Sequence, residues 1–277
     1  MKPCISEATT MAASFAEDVA AYAGAGVLAM EVWLTKLETH LEHQSFADSR
    51  KLLEEKQLVL AAASYQGGLL LSQGEPRRAH FDHFKRRLDL CQQLGIPTLL
   101  LVADFARNVD RTDLERSVVS LRQAAQWAAG FGVRLALEFR AGDTFCASLD
   151  TALQLIAGCG EPNVGVNLDV FHFYKGPSKF EDLDLLTPNN LAFVQVSDVS
   201  GVPRESMADA DRVLPGDGDF RLRPIIDKLA GIGYDGYVSL ELMNPVLWQL
   251  KPSQVAETGL AALQRLLDSP KTDVNPR

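Results

Sequence analysis

Basic residues are in the minority in this chain. Lysine and arginine number 27 against 36 aspartates and glutamates, a formal charge of −9 at pH 7. Neutralising a phosphate backbone needs a basic face, so general nucleic-acid binding is not expected. No apolar run approaches the roughly 20 residues that span a bilayer, so no membrane partner is expected either. The opening MKPCISEATT lacks a basic segment leading into an apolar block, which argues against a signal peptide. Cysteine is scarce: Cys4, Cys91, Cys146 and Cys159 form no CxxC and no regular spacing. Reduced, mostly buried thiols in a cytoplasmic protein are the expectation. Histidine is scarce too. His40 and His43, and His80 and His83, stand three apart, but neither pair has an HExxH pattern or a third ligand nearby. There is no internal repeat, no low-complexity tract and no glycine-rich dinucleotide fingerprint between a strand and a helix.

What is present is alternation. Apolar strand-like runs at Pro3–Thr9, Val27–Trp33, Leu58–Ser64 and Pro97–Val102 are separated by helical stretches at Ser14–Ala25, Phe46–Lys56 and Pro76–Leu94. Four more strands follow at Val133–Arg140, from Val164, at Leu191–Asp198 and at Tyr237–Asn244. Helices are expected at Asp113–Gly130, Leu149–Ala157, part of Lys179–Leu186, Arg223–Ala230 and Ser253–Leu267. Near-continuous apolar strands suit a sheet covered on both faces. The fold expected is a single-domain α/β (β/α)8 TIM barrel over residues 1–268, with a polar tail at 269–277. Val199–Leu222 is the longest irregular segment and is expected to fold over the barrel mouth.

The last four strands end on polar residues: Glu138, Asp169, Gln195 and Glu241. Their spacings of 31, 26 and 46 residues match the roughly 31 residues per unit of a barrel of about 250, with one long loop before the last. Strand C-termini form the mouth of such a barrel. Three carboxylates and an amide on one rim repel each other unless a cation sits among them. An all-oxygen set favours one divalent cation of the Mg²⁺ or Mn²⁺ kind over Zn²⁺. The bland alternatives are salt bridges across the rim for the carboxylates and an interior hydrogen bond for Gln195.

Four segments resemble one family: LALEF at Glu138, LDVFHFYKG at Asp169 and His172, FVQVSD followed by RVLPGDGDF, and GYDGYVSLELMN ending past Glu241. In order and spacing they are similar to the xylose isomerase-like TIM barrels, the sugar phosphate isomerase/epimerase superfamily. The resemblance covers nearly the whole chain and is strongest from Leu135 onward. It implies that Glu138, Asp169, Gln195 and Glu241 bind one metal ion. It implies that Glu138 and Glu241 move a proton next to a metal-polarised carbonyl, with His172 steadying the carbonyl oxygen. Arg204, and less strongly Arg212, are expected to bind the far end of a small hydroxy-ketone or sugar-like substrate. Gln195 departs from the histidine of many ketose epimerases and leans toward hydroxypyruvate isomerases and 3-dehydroshikimate dehydratases.

The function expected is therefore a divalent-metal-dependent sugar isomerase or epimerase. A dehydratase of the 3-dehydroshikimate or inosose type is the alternative, and a lyase of oxidised glycosides is a third outcome of the same site. A zinc-dependent DNA-repair barrel ranks low in an acidic chain with one rim histidine. A non-catalytic sugar-binding barrel ranks below the enzymes. Related barrels are often dimers or tetramers, so the resemblance implies a homo-oligomer.

Overall fold

The structure, a computed structural model, describes residues 1–268. The expected tail at 269–277 lies outside the described residues. Eight parallel strands close on themselves: β1 (Lys2–Ser6), β2 (Ala29–Trp33), β3 (Val59–Gln66), β4 (Thr98–Val102), β5 (Arg134–Glu138), β6 (Val164–Asp169), β7 (Leu191–Val196) and β10 (Tyr237–Leu240). Each pairs with the next, and β10 returns to β1 with Lys2 opposite Tyr237. The barrel is the one expected from the alternation.

Around it run α1 (Phe15–Gly24), α3 (Phe46–Lys56), α4 (Gly74–Leu94), α5 (Arg111–Gly130), α6 (Leu149–Cys159), α8 (Leu222–Gly231) and α9 (Pro252–Asp268). Side-chain caps start several of them. Ser14 and Glu17 form a capping box on α1, and Asp110 caps α5. Two helices were not read from the sequence as such. α2 (Leu34–Leu41) follows β2 without a break, and α7 (Val170–Lys175) begins where β6 ends. Asp169 makes that junction by accepting the Phe171 N–H at 2.8 Å, so the expected long strand turns helical there. The stretch expected as helix near Lys179–Leu186 is a 3₁₀ turn, Phe180–Leu185.

The barrel interior explains why the site sits where it does. Cys4, Ala29, Leu100, Ala136 and Phe193 form a small apolar cluster separate from the main core between strands and helices. Two residues further along each strand come Ser6, Glu31, Val102, Glu138 and Gln195. Side chains alternate faces with period two, so these share the inward face. The apolar layer plugs the barrel, and a layer polar at all of these positions but Val102 stands on it. Register then sets neighbours: Asp169 lies opposite Gln195, and Gln195 opposite Ser239.

Two polar clusters fix the loops above. Lys36 of α2 hydrogen-bonds the Asp18 carboxylate of α1 and lies 3.8 Å from Glu7, which follows β1. Glu7 in turn accepts the Trp33 N–H at 2.7 Å. Glu7 and Asp18 are fully buried. On the other side, the long segment after β7 forms an antiparallel ribbon of β8 (Asp198–Val199) and β9 (Arg212–Val213). The Asp198 carboxylate accepts the N–H groups of Val199, Gly216 and Phe220 at 2.9, 3.0 and 2.9 Å. This ties both ends of the segment to one side chain.

Candidate active site at the barrel mouth

A cavity of about 100 Å³ opens at the C-terminal ends of the strands. Glu138, His172, Arg212 and Glu241 line it, with Trp33 and Tyr65 on one side as an edge-to-face pair 5.3 Å apart. Glu138 ends β5, Asp169 ends β6, Gln195 is the fifth residue of β7 and Glu241 directly follows β10. The four residues expected together are thus brought to one end of the barrel.

Their partners differ. Arg212, fully buried, extends from β9 into the centre of the group. One guanidinium nitrogen donates to Glu241 at 2.9 Å, another to Asp169 at 2.9 Å and to Asp209 at 2.7 Å. The guanidinium also lies over the Phe171 ring, 4.2 Å from its centroid. Burial alone would lower its pKa, but Asp169, Glu241 and Asp209 outweigh burial and hold it protonated. Glu138 has no hydrogen-bond donor closer than His172 Nε2, at 3.5 Å, among the described residues. Burial, with the Asp169 charge adding, raises its pKa to about 8. Burial also raises Glu241 well above the usual carboxylate range, against the pull of Arg212. His172 is driven down to about 4 by burial, so its ring is neutral near pH 7. Its Nδ1 has no hydrogen-bond partner among the described residues.

Gln195 is fully engaged. Its Nε2 donates to Glu31 at 2.8 Å and to Glu241 at 2.9 Å, and its Oε1 accepts from Asn167 at 2.5 Å. Glu31 also accepts from Ser239 at 2.6 Å, and burial raises its pKa. The amide carbonyl therefore faces Asn167 and not the mouth.

The two arginines expected near the substrate lie differently. Arg204 sits on an exposed 3₁₀ turn, Arg204–Ser206, and donates to the Lys175 carbonyl at 3.1 Å, outside the cavity wall. Arg212 is the one that reaches the carboxylates, because the ribbon turns β9 inward. Glu31, Asn167 and Ser239 had no expected role. An acid inside the apolar run AMEVW was the available signal for Glu31. The two histidine pairs on helices have ordinary partners: His40 meets Ser49, His80 the Gly68 carbonyl and His83 Glu38.

Glu138, Asp169 and His172 each bring one ligand atom within 4.8 Å of the others. That spacing, with more carboxylates than cations around it, suits one divalent cation. The fold and this mouth define a class, the β/α-barrel enzymes that work at the C-terminal face of the sheet. The chain belongs to the xylose isomerase-like TIM barrel family, whose model matches residues 19–266. It is 29% identical over 180 residues to an inosose isomerase of Halalkalibacterium halodurans, a match spanning 64% of each chain and so just under two thirds of that relative. It is 27% identical over 268 residues to the inosose isomerase of Bacillus velezensis, 94% of each chain. Among solved structures, the IolI protein with a bound zinc atom superposes with a TM-score of 0.91 at 24% identity, covering 97% of this chain and 98% of that one. Family and relatives mark the chain as an isomerase- or epimerase-type enzyme, with a dehydratase as the alternative from a 3-dehydroshikimate dehydratase of Pseudomonas putida, 26% identical over 189 residues, 66% of this chain and 29% of that one. Among the described residues no helix is long and apolar enough to cross a membrane.

Proposed function

We propose that the protein is a divalent-metal-dependent isomerase or epimerase of small hydroxy-ketones that moves a proton on the carbon next to the carbonyl. The observation that carries this is the convergence of Glu138, Asp169 and Glu241 from three strand ends on the barrel mouth, where Glu138 and Glu241 line one cavity, Asp169 lies within ligand spacing of Glu138, and Glu138 has no cation hydrogen-bonded to it among the described residues. Glu138, Asp169 and Glu241 would hold the ion, with Gln195 as fourth ligand. If Gln195 and Asn167 turn over together their mutual hydrogen bond survives, and the Gln195 carbonyl then meets the Glu31 and Glu241 carboxyls, where a cation or a carboxyl proton would have to lie between them. The Asn167 Oδ1, buried without a donor, is ready for that exchange. An oxygen-rich set supports Mg²⁺ or Mn²⁺. When bound, the cation polarises the substrate carbonyl and makes the adjacent C–H more acidic.

The chain's own residues do the rest. Glu138 and Glu241 stand on strands three places apart around the barrel, so they reach a bound ligand from two sides. One carboxylate takes the proton and the other, as the acid, returns it. Burial raises both carboxyls in the absence of a cation, and a bound cation would draw them back down. Neutral His172 donates to the substrate oxygen as charge gathers there. Arg212 orients the ligand and restrains Asp169 and Glu241. The four cysteines are buried free thiols, which supports a reducing cytoplasm as the location.

The test is solvent-deuterium exchange with Mn²⁺ or Mg²⁺ on a panel of ketoses, inososes, hydroxypyruvate and 3-dehydroshikimate, followed by NMR. Metal-dependent C–H washout that disappears in Glu138→Gln is the expected result. Loss of a β-hydroxyl instead would move the assignment to the dehydratase. Metal-independent exchange, or none on any substrate, would sink the reading.

A further inference from the structure

We propose that Arg140 reads a carboxylate on the substrate, so that the ligand of this site is a short hydroxy-keto acid and not a neutral ketose. This rests on the hydroxy-ketone reading above and narrows it. Arg140 lies two residues beyond Glu138, past the end of β5. The residue between, Phe139, is fully buried in the main core. Alternation therefore returns Arg140 to the side of Glu138, and it lines the same cavity.

Exposed arginines are ordinarily solvated and mean nothing. This one differs in its company. No acceptor among the described residues holds its side chain. Asp143, three residues on, uses its carboxylate to accept the Phe105 N–H at 2.9 Å. Arg212 is committed to three carboxylates, and Arg204 to a backbone carbonyl. Arg140 is thus the arginine of the cavity wall left with its guanidinium open, and its charge is felt at both Glu138 and His172.

Much of the rest of the wall is acidic. Glu138, Asp209 and Glu241 would repel a carboxylate wherever it lay against them. Only the Arg140 side offers a fork of donors that matches a carboxylate in two parallel hydrogen bonds. Size points the same way. The cavity, about 100 Å³, is small. Cavities for larger ligands run to roughly 300–1,000 Å³. A three- or four-carbon acid suits this space better than a phosphate ester.

The probes are hydroxypyruvate and dihydroxyacetone, two three-carbon hydroxy-ketones that differ in a carboxylate against a neutral CH₂OH. Binding to the Mn²⁺-loaded protein is measured by titration calorimetry for the parent, Arg140→Gln and Arg140→Lys. Arg140→Gln should weaken hydroxypyruvate by about tenfold or more, the worth of a charge-assisted hydrogen bond, and leave dihydroxyacetone within about twofold. Arg140→Lys should recover part of the loss. Equal effects on both probes, no effect on hydroxypyruvate, or failure of hydroxypyruvate to bind the parent would each overturn the proposal. Deuterium exchange on the same samples separates the two readings. Exchange in the parent with no Arg140 discrimination defeats only the carboxylate assignment, whereas absence of Mn²⁺ binding defeats the metal-dependent function itself.

Discussion

Replacing Lys36 with methionine should uncover the electrostatic cost that this lysine offsets. Glu7 and Asp18 are fully buried, and the Lys36 side chain is 9% exposed between them. Burial raises the pKa of both carboxyls, and Lys36 is the chief force pulling them back. One oxygen on each, Glu7 Oε1 and Asp18 Oδ1, has no hydrogen-bond donor among the described residues. A proton held by Glu7 and shared with Asp18 satisfies both. With Lys36 gone, Asp18 must also take a proton or stay charged in an apolar setting. Breaking a buried pair in this way costs about 3–5 kcal/mol. In a domain of this size that corresponds to a fall in Tm of roughly 10 °C. The sign with pH follows from proton counting. The folded variant holds one more proton than the folded parent, whereas both unfolded chains ionise these groups above their ordinary carboxylate pKa. The variant's deficit is therefore greatest at neutral pH and narrows as pH falls, by up to about 1.4 kcal/mol per pH unit for the one extra proton. Urea unfolding of parent and variant at pH 7 and pH 5, at one fixed metal concentration, reads this directly. A deficit under about 1 kcal/mol at pH 7, or one that does not shrink at pH 5, would refute the reasoning.

Two further outcomes are expected. Asp198→Ala removes the acceptor of three backbone N–H groups and should cost about 2–3 kcal/mol, with faster limited proteolysis between residues 199 and 216; unchanged cleavage there would contradict the anchoring role. Adding Mn²⁺ to chelator-treated protein at a hundred times its Kd should stabilise by about 2.7 kcal/mol. Asp169→Asn should abolish that gain in a thermal-shift assay, and an undiminished gain would remove Asp169 from the ligand set.

The barrel was legible because burial on both faces leaves a plain mark: apolar runs such as PTLLLV and LALEF, at a steady interval, with helices between. Glu138, Asp169, Gln195 and Glu241 were legible because each interrupts such a run at its end. What failed to show has a common cause. Arg212 and Arg204 lie eight residues apart in one irregular segment, and nothing local distinguishes them. The pairing of Asp198 with Val213 decides which is carried inward, and that is a long-range contact. The orientation of Gln195 was hidden likewise, since it depends on Asn167 one strand away and on Glu31 far back in the chain. The early end of β6 was missed because VFHFYK is as apolar as a strand, while the cap that starts a helix there is the site aspartate itself.

The Asp198 anchorage bears on how this protein can change. Chain leaves the barrel and returns to it through a single carboxylate, and the space beside it is tight: a Cβ on Gly218 would come within 2.5 Å of the Val199 carbonyl. Between those fixed points, residues 200–211 carry no part of the barrel. Apart from Asp209, which Arg212 holds, that stretch can therefore lengthen, shorten or be replaced while Arg212 at its root keeps its grip on Asp169 and Glu241.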